Sequence, residues 1–209
     1  EDADLVSRVV PEASWIATGL AEQLPEGIDG TPSLGIKFSP DGSSVAVVGA
    51  MKRADLPIHL ELVGAHSGSM AAGTAALAAW VAERASRYAA IVIDGKSQAG
   101  AFAEALIAAG VPRRAVIVPT WGDVVTANSM TEQALIAGTA THLATEGQAA
   151  LDRSIEATEK KVRTDGGWQW HCVAEPNDAT PAQAMSLAFW GANTSKRRPG
   201  RKTKGVVLA

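Results

Sequence analysis

The feature that most constrains the fold is a short run, Ala90-Ile-Val-Ile-Asp94, in which four apolar residues end on an acid. An apolar run without alternation is typical of a strand that is covered on both faces, as in the parallel part of an α/β sheet. The Ala-rich segments on either side, Ser69–Tyr88 and Ala99–Ala109, are predicted as helices. The run therefore predicts a sheet with helices packed on both faces.

Three strands are predicted to precede this run as an antiparallel meander. Leu34–Phe38 and Ser43–Ala50 flank the turn sequence Ser-Pro-Asp-Gly, and Pro57–Val63 alternates apolar and polar residues. The later predicted elements are the strand Ala115–Val118 after a C-cap at Gly110, the helices Asp123–Gly138, Gly147–Lys161 and Pro181–Trp190, and the strand Trp168–Val173. This order predicts a mixed sheet of three antiparallel strands followed by parallel strands.

Length and composition predict one soluble domain. The chain has 209 residues, of which 46% are hydrophobic, and its longest apolar stretch, Met70–Ala82, is well short of the roughly 20 residues that a bilayer span needs. The single cysteine, Cys172, excludes an internal disulfide and a zinc site built on cysteine pairs, and it indicates a reducing, cytoplasmic setting. The expected organisation is an N-terminal arm or linker over 1–33, a domain over 34–195 and a flexible basic tail over 196–209.

Two acids stand where function is expected. Asp94 ends a strand at the sheet edge where open α/β sheets bind ligands, although the same residue would equally suit a cap for the following loop or helix. Asp178 precedes a helix for which Thr180 is the predicted N-cap, Pro181 the first helical residue and Gln183 the partner in a capping box. Asp178 is then free to face a cation, or else it is a solvated carboxylate favoured by the helix dipole.

The order of several short motifs resembles the nuclease domain of tailed-phage terminase large subunits. Over roughly residues 34 to 191 the chain reads LGIKFSPDGSSVAVVGA, IHLELV, AAIVIDGKSQAG, TATHLATEGQAALDRSI and EPNDATPAQAMSLAFWG. The resemblance implies a ribonuclease H-like fold, related to that of the retroviral integrases, and an endonuclease that cuts concatemeric double-stranded DNA during packaging. It also implies that the ATPase motor of such proteins lies in a separate domain that this chain does not contain.

The resemblance further implies three metal-binding carboxylates, of which Asp94 and Asp178 match the second and third. They would hold two Mg²⁺ or Mn²⁺ ions, one activating water and one stabilising the departing oxygen. The position of the first carboxylate is Lys37, on the strand face where the missing carboxylate would have faced Asp94. Since an ammonium is attracted by the same negative potential as a metal ion, Lys37 is expected to weaken metal binding sharply, leaving fewer ions or none.

Substitutes for the missing acid are few. Glu175 lies three residues before Asp178 and is the better candidate, although a surface role suits it as well. Asp41 lies in the Pro-Asp-Gly turn, where an aspartate has an ordinary turn role, and Glu61 is expected to be solvated. His142 is expected to be a loop or helix-packing histidine.

The predicted DNA contacts are Lys96, beside Asp94, together with Lys52 and Arg53 after the second strand of the meander. Lys196–Lys204 carries six of the 19 basic residues of a chain whose net charge is −3. This tail is either a solvated terminus or a loose, salt-sensitive DNA clamp. By resemblance, the partners would also include the portal protein and the small terminase subunit, in the cytoplasm of an infected bacterium.

Three functions remain open at this point. The first is a metal-dependent endonuclease domain that is impaired by Lys37. The second is a catalytically silent module that binds DNA or the portal. The third is a transposase or resolvase of the same fold, for which a late catalytic glutamate on a clear helix is missing.

Overall fold

The computed structural model describes residues 8–25, 28–67, 73–164, 166–172 and 178–199. None of the helices in these ranges is long and apolar enough to cross a bilayer. The helices are α1 (Glu12–Thr18), α2 (Ala75–Arg84), α3 (Lys96–Ala108), α4 (Trp121–Ile136), α5 (Ala149–Glu156) and α6 (Thr180–Thr194). The strands are β1 (Gly19–Leu20), β2 (Thr31–Phe38), β3 (Ser44–Lys52), β4 (Ile58–Ser67), β5 (Ala90–Asp94), β6 (Val116–Ile117), β7 (Ala140–Leu143), β8 (Thr158–Val162) and β9 (Trp168–Cys172).

Seven strands form one mixed sheet in the order β1-β7-β4-β3-β2-β5-β6. The meander β2-β3-β4 is antiparallel, whereas β5, β6, β7 and β1 each pair in parallel with a neighbour. This confirms the predicted fold class, three antiparallel strands followed by parallel ones with helices on both faces. Because β2 and β5 are parallel, their carboxyl ends meet at one edge, which we call the Asp94 edge.

The two faces of the sheet carry separate cores. Alternate residues of β2, such as Leu34 and Ile36, pack with α2 and α3 on one face. The other face packs against α6, whose Met185 and Ala188 are buried among residues of β3, β4 and the β8-β9 hairpin. Period-2 alternation thus sends Lys37, like Gly35, to the α6 face.

The backbone of α6 comes close to the sheet at Gly35. A Cβ atom at this position would overlap the carbonyl oxygen of Ala184 and the amide nitrogen of Ala188. Next to it, the hydroxyl of Ser33 donates a hydrogen bond to the carbonyl of Ala188 at 2.6 Å. The backbone of α6 therefore lies directly on β2, and only glycine leaves room for it.

The prediction of a single helix over Gly147–Lys161 is wrong, because the helix ends at Glu156 and the chain continues as β8. This strand pairs with β9 along Thr158–Val162, and the pairing helps to bury Trp168 and Trp170. Local helix propensity is a weak effect, and tertiary packing overrides it here.

The other differences are short elements that the pattern did not predict. Within the expected arm, α1 and β1 lie against β7, and the β7 strand itself was not predicted. α4 starts at Trp121 rather than Asp123, because Asp123 forms a capping box with Thr120. Residues 69–72 of the predicted helix Ser69–Tyr88 lie outside the described residues, and the observed helix, Ala75–Arg84, is followed by one 3₁₀ turn.

Replacement of Gly35 by alanine tests the contact between β2 and α6. We expect Gly35→Ala to lower the free energy of unfolding by about 2–3 kcal/mol, because the methyl group must displace helix backbone rather than a flexible side chain. Gly100→Ala is the matched control, since Gly100 lies in α3 with open space around its Cα, and it should raise stability by about 0.5–1 kcal/mol. Urea unfolding midpoints measure both, and equal stability of the two variants would contradict the contact.

Candidate functional site

Lys37 and Asp94 are neighbours at the Asp94 edge. They are register partners in the parallel pair β2-β5, so their side chains leave the sheet side by side. The Ala90 and Val92 side chains of β5 pack with Leu187 of α6, which puts Asp94 on the α6 face as well. Residue 37 thus lies beside Asp94 on the α6 face.

The two side chains form an ion pair, in which the ammonium of Lys37 donates a hydrogen bond to Oδ2 of Asp94. Only 14% of the Lys37 side chain and 25% of the Asp94 side chain are exposed. The pair lines a cavity of about 40 Å³, together with the amides of Asn128, Gln169 and Gln183. The N-cap position of α3 is Gly95 rather than Asp94, and the carboxylate of Asp94 is paired with Lys37.

Asp178 is held at the start of α6 by three hydrogen bonds. Its Oδ1 accepts from the backbone amide of Thr180 at 2.8 Å and from the Thr180 hydroxyl at 2.5 Å. Its Oδ2 accepts from the hydroxyl of Ser44 at 2.8 Å. The predicted capping box is wrong: Thr180 is already helical, and the Gln183 amide donates to the carbonyl of Trp170 instead. Asp178 itself satisfies the first free amide, as a carboxylate at a helix N-terminus does.

Asp94 and Asp178 lie at the same edge and on the same face, but they do not share one cavity. Ser44, the partner of Asp178, lies on β3 two residues beyond Ala46, which pairs with Lys37. Two residues of a strand span about 7 Å, so Ser44 lies about 7 Å along β3 from Ala46. β3 is itself one strand across from β2, which carries Lys37. Asp178 lines a separate polar cleft of about 280 Å³ with Arg153 and His66.

The residues at this edge do not fit a pair of divalent cations. The ammonium of Lys37 takes the position beside Asp94 that a metal ion would need, and the oxygens of Asp178 are engaged by Ser44 and Thr180. No group of three His, Cys, Asp or Glu side chains suitable for a metal occurs in the described part of the chain. A cavity of about 40 Å³ has room for only one or a few waters.

The remaining predicted site residues fall in different places. Lys96 is exposed and follows Asp94 by two residues, at the place where the sequence predicts a DNA contact. Its backbone has a positive φ of 53°. Lys52 is the last residue of β3 and Arg53 follows it, at the opposite edge from Lys37, so the structure does not bring them to Asp94. Glu175, the candidate substitute ligand, lies outside the described residues.

The two side chains that were expected to have structural roles have them. Asp41 accepts hydrogen bonds from Ser39 and Ser43 in the β2-β3 turn, and these bonds lower its pKa to about 2. His142 is buried with its ring stacked on Trp15 of α1 at 3.5 Å. It therefore packs on a helix as expected, although it lies in a strand.

Sequence reasoning did not identify the polar residues that surround the two aspartates. Ser44 was read only as part of a strand, and Asn128, Gln169 and Gln183 lie on three different elements. Arg153 of α5 is exposed and lines the cleft beside Asp178. Among these residues, only Ser44 could be recognised from the sequence, because it lies on the polar face of a predicted strand. The other residues come together only through tertiary packing.

No protein-family model and no curated protein matches the sequence. Among solved structures, the chain is similar to the large terminase of bacteriophage HK97, with a TM-score of 0.66 and 13% identity over 89% of this chain and 43% of that one. It is similar to the large terminase nuclease of the thermophilic phage G20c, with a TM-score of 0.60 and 12% identity over 87% of this chain and 97% of that one. It is also similar to the large terminase nuclease domain of bacteriophage SPP1 with bound Mn, with a TM-score of 0.50 and 17% identity over 80% of this chain and 94% of that one. The chain thus has the fold of large terminase nucleases.

Cys172, at the end of β9, reports on the charge of Asp178. Burial and then the negative charge of Asp178 raise the pKa of the Cys172 thiol to about 11. The thiol is therefore protonated at neutral and mildly alkaline pH, and the reactive thiolate becomes abundant only as the pH approaches 11.

We predict that Cys172 reacts with a disulfide reagent at pH 8 at least about 10-fold more slowly than a free thiol, because the loss of thiolate outweighs the higher nucleophilicity of a more basic thiolate. Asp178→Asn should speed the reaction several-fold by removing a nearby negative charge. Glu104→Gln makes the same charge change at an exposed position of α3 and should leave the rate unchanged. A rate midpoint near pH 8.5, or equal rates in wild type and Asp178→Asn, would contradict the placement of Asp178 beside this thiol.

Proposed function

We propose that the chain is the nuclease domain of the large subunit of a viral DNA-packaging terminase, and that the Lys37–Asp94 ion pair impairs its cutting centre. The observation that carries the proposal is the register of Lys37 with Asp94 at the carboxyl edge of the central strands, in a sheet with the fold of terminase nucleases. Asp178 supports it, because it reaches the same edge from the start of α6. In this position Lys37 replaces the first acid of a three-carboxylate cluster.

The physical effect of Lys37 follows from its burial. A carboxylate that is three-quarters withdrawn from water needs a cation beside it, and that cation is either a metal ion or an ammonium. Lys37 fulfils this need permanently, so a divalent ion would have to displace a covalently attached charge. With an aspartate at position 37, the edge would need the metal, which supplies an activated water for phosphodiester hydrolysis.

The proposed partner is double-stranded DNA, with the portal protein and the small terminase subunit as further proposed partners. The setting would be the cytoplasm of the infected bacterium. The HK97 protein is more than twice as long as the region that this chain matches, so a packaging motor would lie in a different domain.

A second function is favoured by the same ion pair. With Asp94 paired and Asp178 engaged in three hydrogen bonds, the domain would hold DNA, or dock on the portal, without cutting. The two functions predict different effects of an aspartate at position 37. It should speed cutting if the domain is an impaired nuclease, and it should not if the domain only holds DNA.

The first test is plasmid cleavage in the presence of Mn²⁺. We expect Lys37→Asp to cut supercoiled DNA roughly 100-fold faster than wild type or more, because a direct metal ligand is worth more than the 10–100-fold typical of outer-shell partners. Lys37→Met, which removes the ammonium but adds no ligand, should stay slow, as should Lys37→Asp/Asp94→Asn. If the aspartate variant cuts no faster than Lys37→Met, the nuclease assignment is wrong and the DNA-holding function stands.

The second test measures metal binding without catalysis. In EDTA, Lys37→Asp should be less stable than wild type, because two carboxylates then face each other with little solvent. Saturating Mn²⁺ should raise its Tm by about 5–10 °C, which corresponds to about 2.7 kcal/mol at a hundred times the Kd. Wild type should shift little in the same titration. Equal shifts in the two proteins would show that Lys37 does not occupy the ion position.

A further inference from the structure

A second concentration of charge lies at the sheet edge opposite Asp94. It is formed where β3 ends, where β5 and β6 begin and where α6 ends. We call it the basic edge, and its residues are Lys52, Arg53, Arg87, Arg113, Arg114, Lys196, Arg197 and Arg198. Six of these eight are arginines. The chain as a whole has a net charge of −3, so this is a local feature and not a consequence of overall charge.

Hydrogen bonds fix the segment after α6 along this edge. The hydroxyl of Ser195 donates to the carbonyl of Ala89 at 3.1 Å, and the Arg197 guanidinium donates to the carbonyl of Tyr88. On the β3 side, Nζ of Lys52 donates to the side-chain oxygen of Asn193 at 3.4 Å. Lys196–Arg198 is thereby placed between the end of β3 and the start of β6.

Several of these cations have no counter-ion among the described residues. Arg87, Arg114, Lys196 and Arg198 are exposed and make no hydrogen bond or ion pair through their side chains with the described residues. Arg113 has a partner, since it meets Glu104 at 3.4 Å. Burial and the neighbouring charge of Arg114 lower the pKa of Arg197, as expected where like charges are crowded. Such crowding costs free energy unless an anion neutralises it.

The dimensions of the basic edge suit a nucleic-acid backbone. It extends across β3, β2, β5 and β6, three strand spacings or about 14 Å. This width compares with the roughly 12 Å major groove of B-DNA, so that phosphates on both rims come within reach of long side chains. Arginine is the residue that binds phosphate through several donors at once, and the sequence continues with Arg201, Lys202 and Lys204.

We propose that the basic edge binds the phosphate backbone of double-stranded DNA and is the main duplex-binding surface of this chain when no metal is present. It is separate from the Asp94 edge, because the eight residues of β2 between the two edges span over 20 Å. The Asp94 edge offers Lys96 as an exposed cation, whereas Lys37 is already paired. The inference goes beyond the proposed function, since a duplex held at the basic edge is not in position to be cut.

The test is fluorescence anisotropy of a labelled 30-base-pair duplex in EDTA over a range of salt concentrations. The variant Arg87→Gln/Arg114→Gln/Arg198→Gln removes three exposed charges, and its fold is checked by circular dichroism. We expect at least about a 10-fold loss of affinity, and a decrease of about 2–3 in the magnitude of the slope of log K against log salt, because each phosphate contact contributes about 0.9. The same three positions changed to lysine should restore most of the binding.

The matched control is Arg8→Gln/Lys160→Gln/Lys161→Gln, which removes three exposed charges on and beside β8 and should lower affinity less than 3-fold. Unchanged binding by the basic-edge variant would overturn the inference, and so would an equal loss in both variants, which is the response of net charge alone. These outcomes are independent of cutting. If Lys37→Asp fails to cleave while the basic-edge variant loses DNA, the proposed function fails and this inference stands.

Discussion

The packing of α6 on the central strands is the interaction on which both functional edges depend. Gly35 and Ser33 let the helix backbone lie directly on β2, and α6 runs the length of the strand. Its first turn is joined to Asp178 at the Asp94 edge, and the residues after its last turn are bonded to Tyr88 and Ala89 at the basic edge. One helix therefore fixes an acid at one end of the sheet and a group of cations at the other, about 22 Å apart by the rise of 15 residues.

The Lys37–Asp94 pair sets opposite charges side by side at the carboxyl ends of two parallel strands. The parallel register brings residue 37 beside Asp94 whatever its side chain. A carboxylate at position 37 would create a site of high negative potential that only a bound cation relieves. The ammonium of Lys37 instead neutralises the charge of Asp94. The amides of Gln183, Asn128 and Gln169 around the pair complete a small polar pocket in which both charges have polar neighbours. The charge of Asp94 is thereby neutralised by a side chain of the protein itself.

The sequence predicted the central part of the fold because its signals are local. The apolar run at Ala90–Asp94, the turn after Phe38 and the alternation in β4 each depend on neighbours in the chain, and each corresponds to an observed element. The sequence predicts a helix over β8 because its lysines and glutamate are good helix formers, whereas pairing with β9 makes it a strand. The short strands β1 and β7 gave no periodic pattern, since two to four residues are too few to show one.

The candidate site was predicted only in part for a related reason. That residue 37 faces Asp94 follows from strand pairing, which alternation reveals, and the placement of Asp94 at a strand end follows from its sequence position. The hydrogen bonds of Asp178 required knowledge of which strand passes in front of α6, because Ser44 is 134 residues away. The basic edge is the extreme case, since Lys52, Arg87, Arg114 and Arg198 are far apart in sequence and are individually ordinary surface cations. Only the topology, which brings the end of β3 and the starts of β5 and β6 to one side of the sheet, turns scattered charges into a surface that a single polyanion can bridge.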